Sequence, residues 1–269
     1  MGVLDEILAT KRAELALLHE SEALDTLRRA ALEARPARDF AGALRRPDGL
    51  LAVVAEIKRR SPSKGELAPD LDPAVFAKAY ETGGAAALSV LTDTPFFGGS
   101  VDDLQAARAA VELPALRKDF TLAETQVYES RAIGADAVLL IVAALPDDAL
   151  LAGLRQLAED IGIVAVVEAH DDAELDRALA AGATVVGVNA RDLGTFGEDL
   201  GLSERLVDRI PGEVIAVAES AIRSPADAER MADAGYDAVL VGEALVSSND
   251  PAALVHAMSR HSVRPRGER

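Results

Sequence analysis

The chain of 269 residues contains no cysteine and no tryptophan. Without cysteine there is no disulfide framework, no thiolate nucleophile and no cysteine-held metal. Positive charge is scarce as well: 28 Lys and Arg against 45 Asp and Glu leave a formal net charge of -17. Nucleic acids and anionic membranes are bound by distributed positive charge, so neither is expected as a partner, and any bound anion should be small and locally held. Long apolar runs are also missing. The longest, Ala137 to Leu145, is too short to span a bilayer, and Met1 to Glu20 carries Asp5, Glu6 and Glu14 where a secretory signal would be apolar. A soluble cytoplasmic protein is expected.

The four histidines offer little chemistry. His19, His256 and His261 fall in the leading helix, the last helix and the tail. His170 lies near strand-end residues, with capping or loop packing as its default reading. No spacing suggests a metal triad or Ser-His-Asp machinery, and neither GxGxxG nor a P-loop is present. Aromatic residues make up only 3%, yet four of the six phenylalanines, Phe96, Phe97, Phe120 and Phe196, fall in loops just after predicted strands. They could grip a flat apolar part of a substrate; packing of the loops themselves competes with that reading.

The most distinctive stretch is LAVVAEIKRRSPSKGEL, Leu51 to Leu67. Strand alternation points Glu56 and Lys58 the same way. The basic loop that follows, from Arg59 through Ser61 to Gly65, carries more charge than a turn requires and reads as the wall of an anion site. From here an apolar run, a polar loop and an amphipathic helix recur. Strands are predicted at Leu51–Ile57, Ala86–Leu91, Leu113–Arg117, Ala137–Val142, Ile163–Glu168, Thr184–Asn189, Val214–Glu219 and Ala238–Val241. The phrases ETGGAAALSVL, RAIGADAVLLI, LAAGATVVGVN and MADAGYDAVLV echo one another, with Gly83, Gly134, Gly182 and Gly235 expected at left-handed helix ends.

Eight strand–helix units predict a closed (β/α)8 TIM barrel of the α/β class, with an open doubly wound sheet as the alternative. Polar residues decide for the barrel. Glu56, Lys58, Lys118, Glu168, Asn189, Arg191, Glu219, Ser220, Gly242 and Glu243 all fall at C-terminal strand ends, where barrel chemistry sits, and only closure brings them around one mouth. The chain is read as one domain: a helical extension over 1–48 that covers one end of the barrel, the barrel over 49–260, and a mobile charged tail over 261–269.

Two lysines and three glutamates at one mouth could exchange protons with a substrate, the bland alternative being a ring of structural salt bridges. Arg117 and Asp119 should face away from Lys118 and be structural. A phosphate is the expected anion, held by the small-residue loops Glu219–Ile222 and Val241–Ala244, with Glu243 turned outward; Gly242 could instead be only a tight turn.

The motifs VVAEIKRRSPSKGEL, LSVLTDTPFFGGS, LPALRKDF, VEAH, VGVNARDL and AESAI, in this order, resemble the indole-3-glycerol phosphate synthase family over nearly the whole chain. The resemblance implies decarboxylation, ring closure and dehydration of 1-(2-carboxyphenylamino)-1-deoxyribulose 5-phosphate, a phosphorylated aryl-amino sugar, without metal or organic cofactor. It implies Lys118 as general acid to the ketone oxygen, Glu168 as its positioning carboxylate, and Lys58 with Glu56 as acid and base of the dehydration. Asn189 would hydrogen-bond the reacting hydroxyls, Arg191 would meet the carboxylate side, Glu219 would balance charge at the arylamine, and Ser61 and Ser220 would orient substrate. Two positions depart from the family pattern: Ala221 stands where glycine is usual and Glu243 where some members have serine. A positive φ at Ala221 would cost about 1 kcal/mol or more. No fused isomerase domain is expected, and association with other tryptophan-pathway enzymes is a further possible partnership. The competing readings are a sibling phosphosugar isomerase, such as one acting on phosphoribosyl anthranilate, and a non-catalytic phosphate-binding barrel.

Overall fold

A computed structural model describes residues 2–19, 23–191 and 197–266. Eight parallel strands close on themselves in chain order: β1 (Ala52–Ile57), β2 (Ala87–Leu91), β3 (Ala115–Lys118), β4 (Ala137–Ile141), β5 (Val164–Ala169), β6 (Val185–Asn189), β7 (Ile215–Glu219) and β8 (Ala238–Val241), with β8 beside β1. Closure rules out the open sheet.

Alternation sorts each strand between two apolar layers. Ala52 and Val54 of β1, Leu116 of β3, Leu139 and Ile141 of β4 and Leu240 of β8 fill the barrel interior. Val53, Ala55, Ile57, Val138, Leu140 and Val239 pack outward against the helices. Burial on both faces is why the strands read as unbroken apolar runs. The same alternation carries Glu56, then Lys58, and Lys118 to the inner side at the mouth.

Many of the acids serve helix starts. Asp72, Asp147, Asp171, Asp199 and Asp250 each accept a first-turn amide, which ends the preceding loop sharply and complements the helix dipole. At one helix end the prediction shifts by a residue: Gly84, not Gly83, takes the left-handed conformation. Gly83 is glycine because the backbone of Ala252 and the side chain of Val255 leave no room for a β-carbon.

The leading segment covers more than the one end expected. Helix α1 (Val3–His19) lies across the C-terminal mouth with Ile7 and Leu8 buried, whereas α3 (Phe40–Leu44) seats Phe40 and Leu44 in the interior layer. Arg45, just past α3, bonds the carbonyl of Glu213 ahead of β7, which places α3 at the opposite end. Between them α2 (Ala23–Glu33) packs on the outer helix Glu124–Ala132, where Arg28 lies 5.2 Å from the ring centre of Tyr128. The tail expected to be mobile is tied down as far as Arg266: Val263 donates to Gly49 O at 2.9 Å, and Arg266 Nη1 reaches Asp237 at 2.8 Å. Among the described residues no helix is long and apolar enough to cross a membrane.

Candidate active site

Lys118, at the end of β3, is the hub of the mouth. Its Nζ donates to Glu168 Oε2 on β5 at 2.8 Å and bonds Glu219 Oε2 at the end of β7. Asn189 Nδ2 donates to the other oxygen of Glu168 at 3.1 Å. A second pair stands beside the first: Lys58 Nζ donates to Glu56 Oε1 at 2.7 Å, and Ser89 Oγ donates to Glu56 Oε2 at 3.2 Å. Strand register levels these groups, setting Glu56 beside Ser89 and Asn189 beside Glu219.

Two glycines make room for the carboxylates. A β-carbon on Gly187 would overlap Glu219 Oε1, and one on Gly242 would overlap Glu56 and come within 3.1 Å of Lys58 Nζ. Gly242 has a negative φ of -120°, so close approach and not a turn explains it.

Electrostatics divides the glutamates. Burial works against the charge on Lys118, but Glu168 and Glu219 outweigh it and raise its pKa above the ordinary lysine value, so the ammonium is kept. Burial alone would raise Glu168; Lys118 and His170 hold it well below the usual carboxylate range. Glu219 goes the other way. Burial pushes it up to about 8, with Lys118 opposing and the charge of Glu168 adding to the rise. Its Oε1 is buried without a hydrogen-bond donor, which suits a protonated carboxyl better than a carboxylate. The two carboxyls that share one ammonium thus differ: Glu168 is held as a carboxylate, whereas Glu219 is pushed toward its protonated form. Glu56, despite burial, is held low by Lys58 and Lys118.

These groups open on a cavity of about 160 Å³ whose other side is apolar: Val3, Leu4 and Ile7 of α1, Phe97, Phe120, Leu139, Ile141 and Leu240. The rings of Phe97 and Phe120 stand 6.2 Å apart. Ser220, Ala221, Gly242 and Glu243 complete the rim, with Ser220 at φ 65° and Ala221 at φ 60°. Glu243 borders this cavity, its carboxylate 3.7 Å from Lys64 Nζ, so it is not turned wholly outward. Among the described residues no cluster of three or more His, Cys, Asp or Glu is arranged to hold a metal.

The sequence profile described as indole-3-glycerol phosphate synthase matches residues 4–258. The chain belongs to this family. It is 51% identical over 255 residues to "Indole-3-glycerol phosphate synthase 1" of Streptomyces coelicolor, covering 95% of this chain and 94% of that one. With the indole-3-glycerol phosphate synthase of Mycobacterium ulcerans it shares 50% identity over 253 residues, 94% of this chain and 92% of that one. The fold is also that of 3-hexulose-6-phosphate synthase from Salmonella typhimurium, at a TM-score of 0.60 and 19% identity, covering 78% of this chain and 97% of that one.

Against the expectations for an indole-3-glycerol phosphate synthase, most of the named residues meet at one mouth: Glu56, Lys58, Phe97, Lys118, Phe120, Glu168, Asn189, Arg191, Glu219, Ser220, Ala221, Gly242 and Glu243 all border the cavity. Two do not. Ser61 is buried and does not border the cavity, whereas Ser63 does, accepting a bond from Arg191 Nη1 at 3.0 Å. Phe96 packs against the interior layer next to Phe97 without lining the cavity. Phe196 lies outside the described residues. Arg117 does face outward, bonding Thr92 and Ser130. Asp119 bonds Thr92 at 2.6 Å and also pairs with Lys11.

Sequence reasoning missed four participants. Ser89 and Gly187 sit inside strands, where nothing in the pattern separates them from packing residues. His170 is more than a cap: Nε2 lies 3.2 Å from Glu168 Oε1 and Nδ1 3.0 Å from Glu174 Oε2. Burial would lower its pKa, yet the two carboxylates raise it to about 10. Glu198 binds Arg191 and Arg223 together over the loop side of the mouth.

Proposed function

We propose that this chain closes the indole ring of indole-3-glycerol phosphate. The substrate, 1-(2-carboxyphenylamino)-1-deoxyribulose 5-phosphate, loses carbon dioxide and water in the process. The observation that carries the reading is Lys118 held between Glu168 and Glu219, facing an apolar wall with Phe97 and Phe120, beside a separate Glu56–Lys58 pair.

The aryl ring lies against that wall, leaving its carboxylate toward Arg191. The aryl carbon bearing the carboxylate attacks the ketone carbon, and negative charge gathers on the ketone oxygen. An ammonium fixed at that point stabilises the charge and gives up a proton, because an alkoxide is far more basic than an amine. Departure of carbon dioxide returns the ring electrons. Glu56 and Lys58 then serve as base and acid, taking a proton and helping the hydroxyl leave as water. Glu168, fixed by Asn189 and His170, keeps Lys118 aimed, and Glu219 is the group that can change protonation near neutrality. Asn189 also hydrogen-bonds the reacting hydroxyls. The phosphate lies by Ser220, Ala221 and Gly242 within reach of Lys58.

The test is direct: the purified protein and synthetic substrate should give the fluorescent indole product. Conversion of phosphoribosyl anthranilate instead would assign the chain to a sibling isomerase, and binding without turnover would make it a silent barrel.

A further inference from the structure

The extension carries a buried charge with no part in the chemistry above. Lys11 of α1 is among the residues its helical stripe would leave facing solvent, yet it is 5% exposed. Its Nζ lies 3.0 Å from each of Glu14, Asp93 and Asp119, and the side chains of Asp93 and Asp119 are 0% and 4% exposed. Burial disfavours its charge, but Asp119 and Asp93 more than offset that and hold the proton above the ordinary lysine range.

Both partners belong to the mouth. Asp119 follows Lys118 directly, and its Oδ2 is engaged by Thr92 and Arg117. Asp93 caps the short turn Thr94–Phe97 by accepting the amides of Phe96 and Phe97, so it sets where the Phe97 ring stands. On the other side, one to two turns ahead of Lys11 along α1, Leu4 and Ile7 line the cavity with Val3. The lysine thus joins the helix that carries one apolar wall to the two loops that carry Phe97 and Lys118. A buried ion cluster is a poor way to gain stability, since apolar residues of similar volume do as well, but it fixes geometry.

We propose that Lys11 is a positioning residue for substrate binding: through Asp93 and Asp119 it holds α1 so that Val3, Leu4 and Ile7 meet the aryl part of the substrate. The inference rests on the functional reading above. It predicts that loss of the ammonium weakens binding while the chemical groups stay in place.

The experiment compares wild type with Lys11→Met, Lys11→Arg and the double variant Lys11→Met/Asp93→Asn. The asparagine keeps an oxygen for the turn amides and removes the charge that Lys11→Met strands. Steady-state turnover is measured together with amide hydrogen exchange of residues 3–15 without substrate. Lys11→Met should raise KM by about tenfold with kcat within about threefold, and α1 should exchange faster while the barrel strands do not. Lys11→Arg should restore most of the affinity. Wild-type KM and wild-type α1 exchange in Lys11→Met would overturn the proposal, as would a fall in kcat at unchanged KM. If Lys11→Met does not fold, the double variant is judged by the same measures; its failure to fold would also overturn the proposal, because Lys11 would then determine the fold and not the seat of α1. Exchange needs no substrate, so absence of turnover in wild type would count against the functional reading alone.

Discussion

Oε1 of Glu219 occupies the space that a β-carbon on Gly187 would need. The two face each other across neighbouring strands β6 and β7, with Gly187 beside Val217, two residues before the glutamate. A strand glycine normally costs stability through chain entropy, so its presence here marks a place where a functional group has displaced a side chain. Gly187→Ala should push the Glu219 carboxyl off Lys118. Overpacking should cost about 1–3 kcal/mol of stability, and displacement of a reacting group should lower kcat about 100-fold. Urea unfolding and turnover measured together test it: normal kcat in a folded Gly187→Ala protein would show that the position of Glu219 is not critical.

Lys118→Met keeps the length of the side chain and removes its proton. Glu219 loses the cation opposing its upward shift and is pushed further toward its protonated form, while Glu168 keeps His170 and Glu56 keeps Lys58, so the barrel remains folded. Loss of a general acid should reduce kcat by about 10²–10⁴-fold. Circular dichroism should be unchanged. Product formation at the wild-type rate would refute the role given to this lysine.

His170 makes stability depend on pH. Its pKa is raised to about 10 in the folded protein by Glu168 and Glu174, against the ordinary value of 6.5. A base with a raised folded pKa adds stability that is fully present below 6.5 and is lost as pH climbs through the folded value. The stability gap between wild type and His170→Asn should therefore be widest near pH 6 and shrink by a few kcal/mol on going to pH 10. Urea midpoints at both pH values measure it, and a gap that does not change with pH would show that His170 is not charged in the fold.

What could be seen in the sequence was what has a period or a place. Strand alternation put Glu56, Lys58 and Lys118 on the inner side, and the apolar runs of β1, β3, β5, β6 and β7 ended where a polar group began, so the ring of chemistry followed once closure was assumed. Lys11 was hidden because helical periodicity sorts residues only by face: the solvent face of α1 meets Asp93 and Asp119, which come from loops more than eighty residues away. Ser89 and Gly187 were hidden for a related reason, since a serine or glycine within a strand has no local mark that tells packing from service to a neighbouring carboxylate. The split between Glu168 and Glu219 lies further out of reach. Both are buried strand-end glutamates on Lys118, and they part because Lys118 and His170 hold Glu168 low while burial and the charge of Glu168 push Glu219 up.

Ala221 is a strained position whose cost can be tested. At φ 60° it stands in the left-handed region, directly after Ser220 at φ 65°, and its β-carbon crowds the neighbouring carbonyl. Glycine there would remove that strain but enlarge the freedom of the unfolded chain. The strain exceeds the entropy, so Ala221→Gly should stabilise the protein by about 0.5–1 kcal/mol, read as a higher urea midpoint. Because two successive left-handed residues turn this loop toward the cavity rim, the same change should leave KM for the phosphorylated substrate equal or lower. A more stable protein with a raised KM would mean the opposite: that the methyl group holds the loop in the binding shape, and that the strain at Ala221 is maintained because it serves affinity.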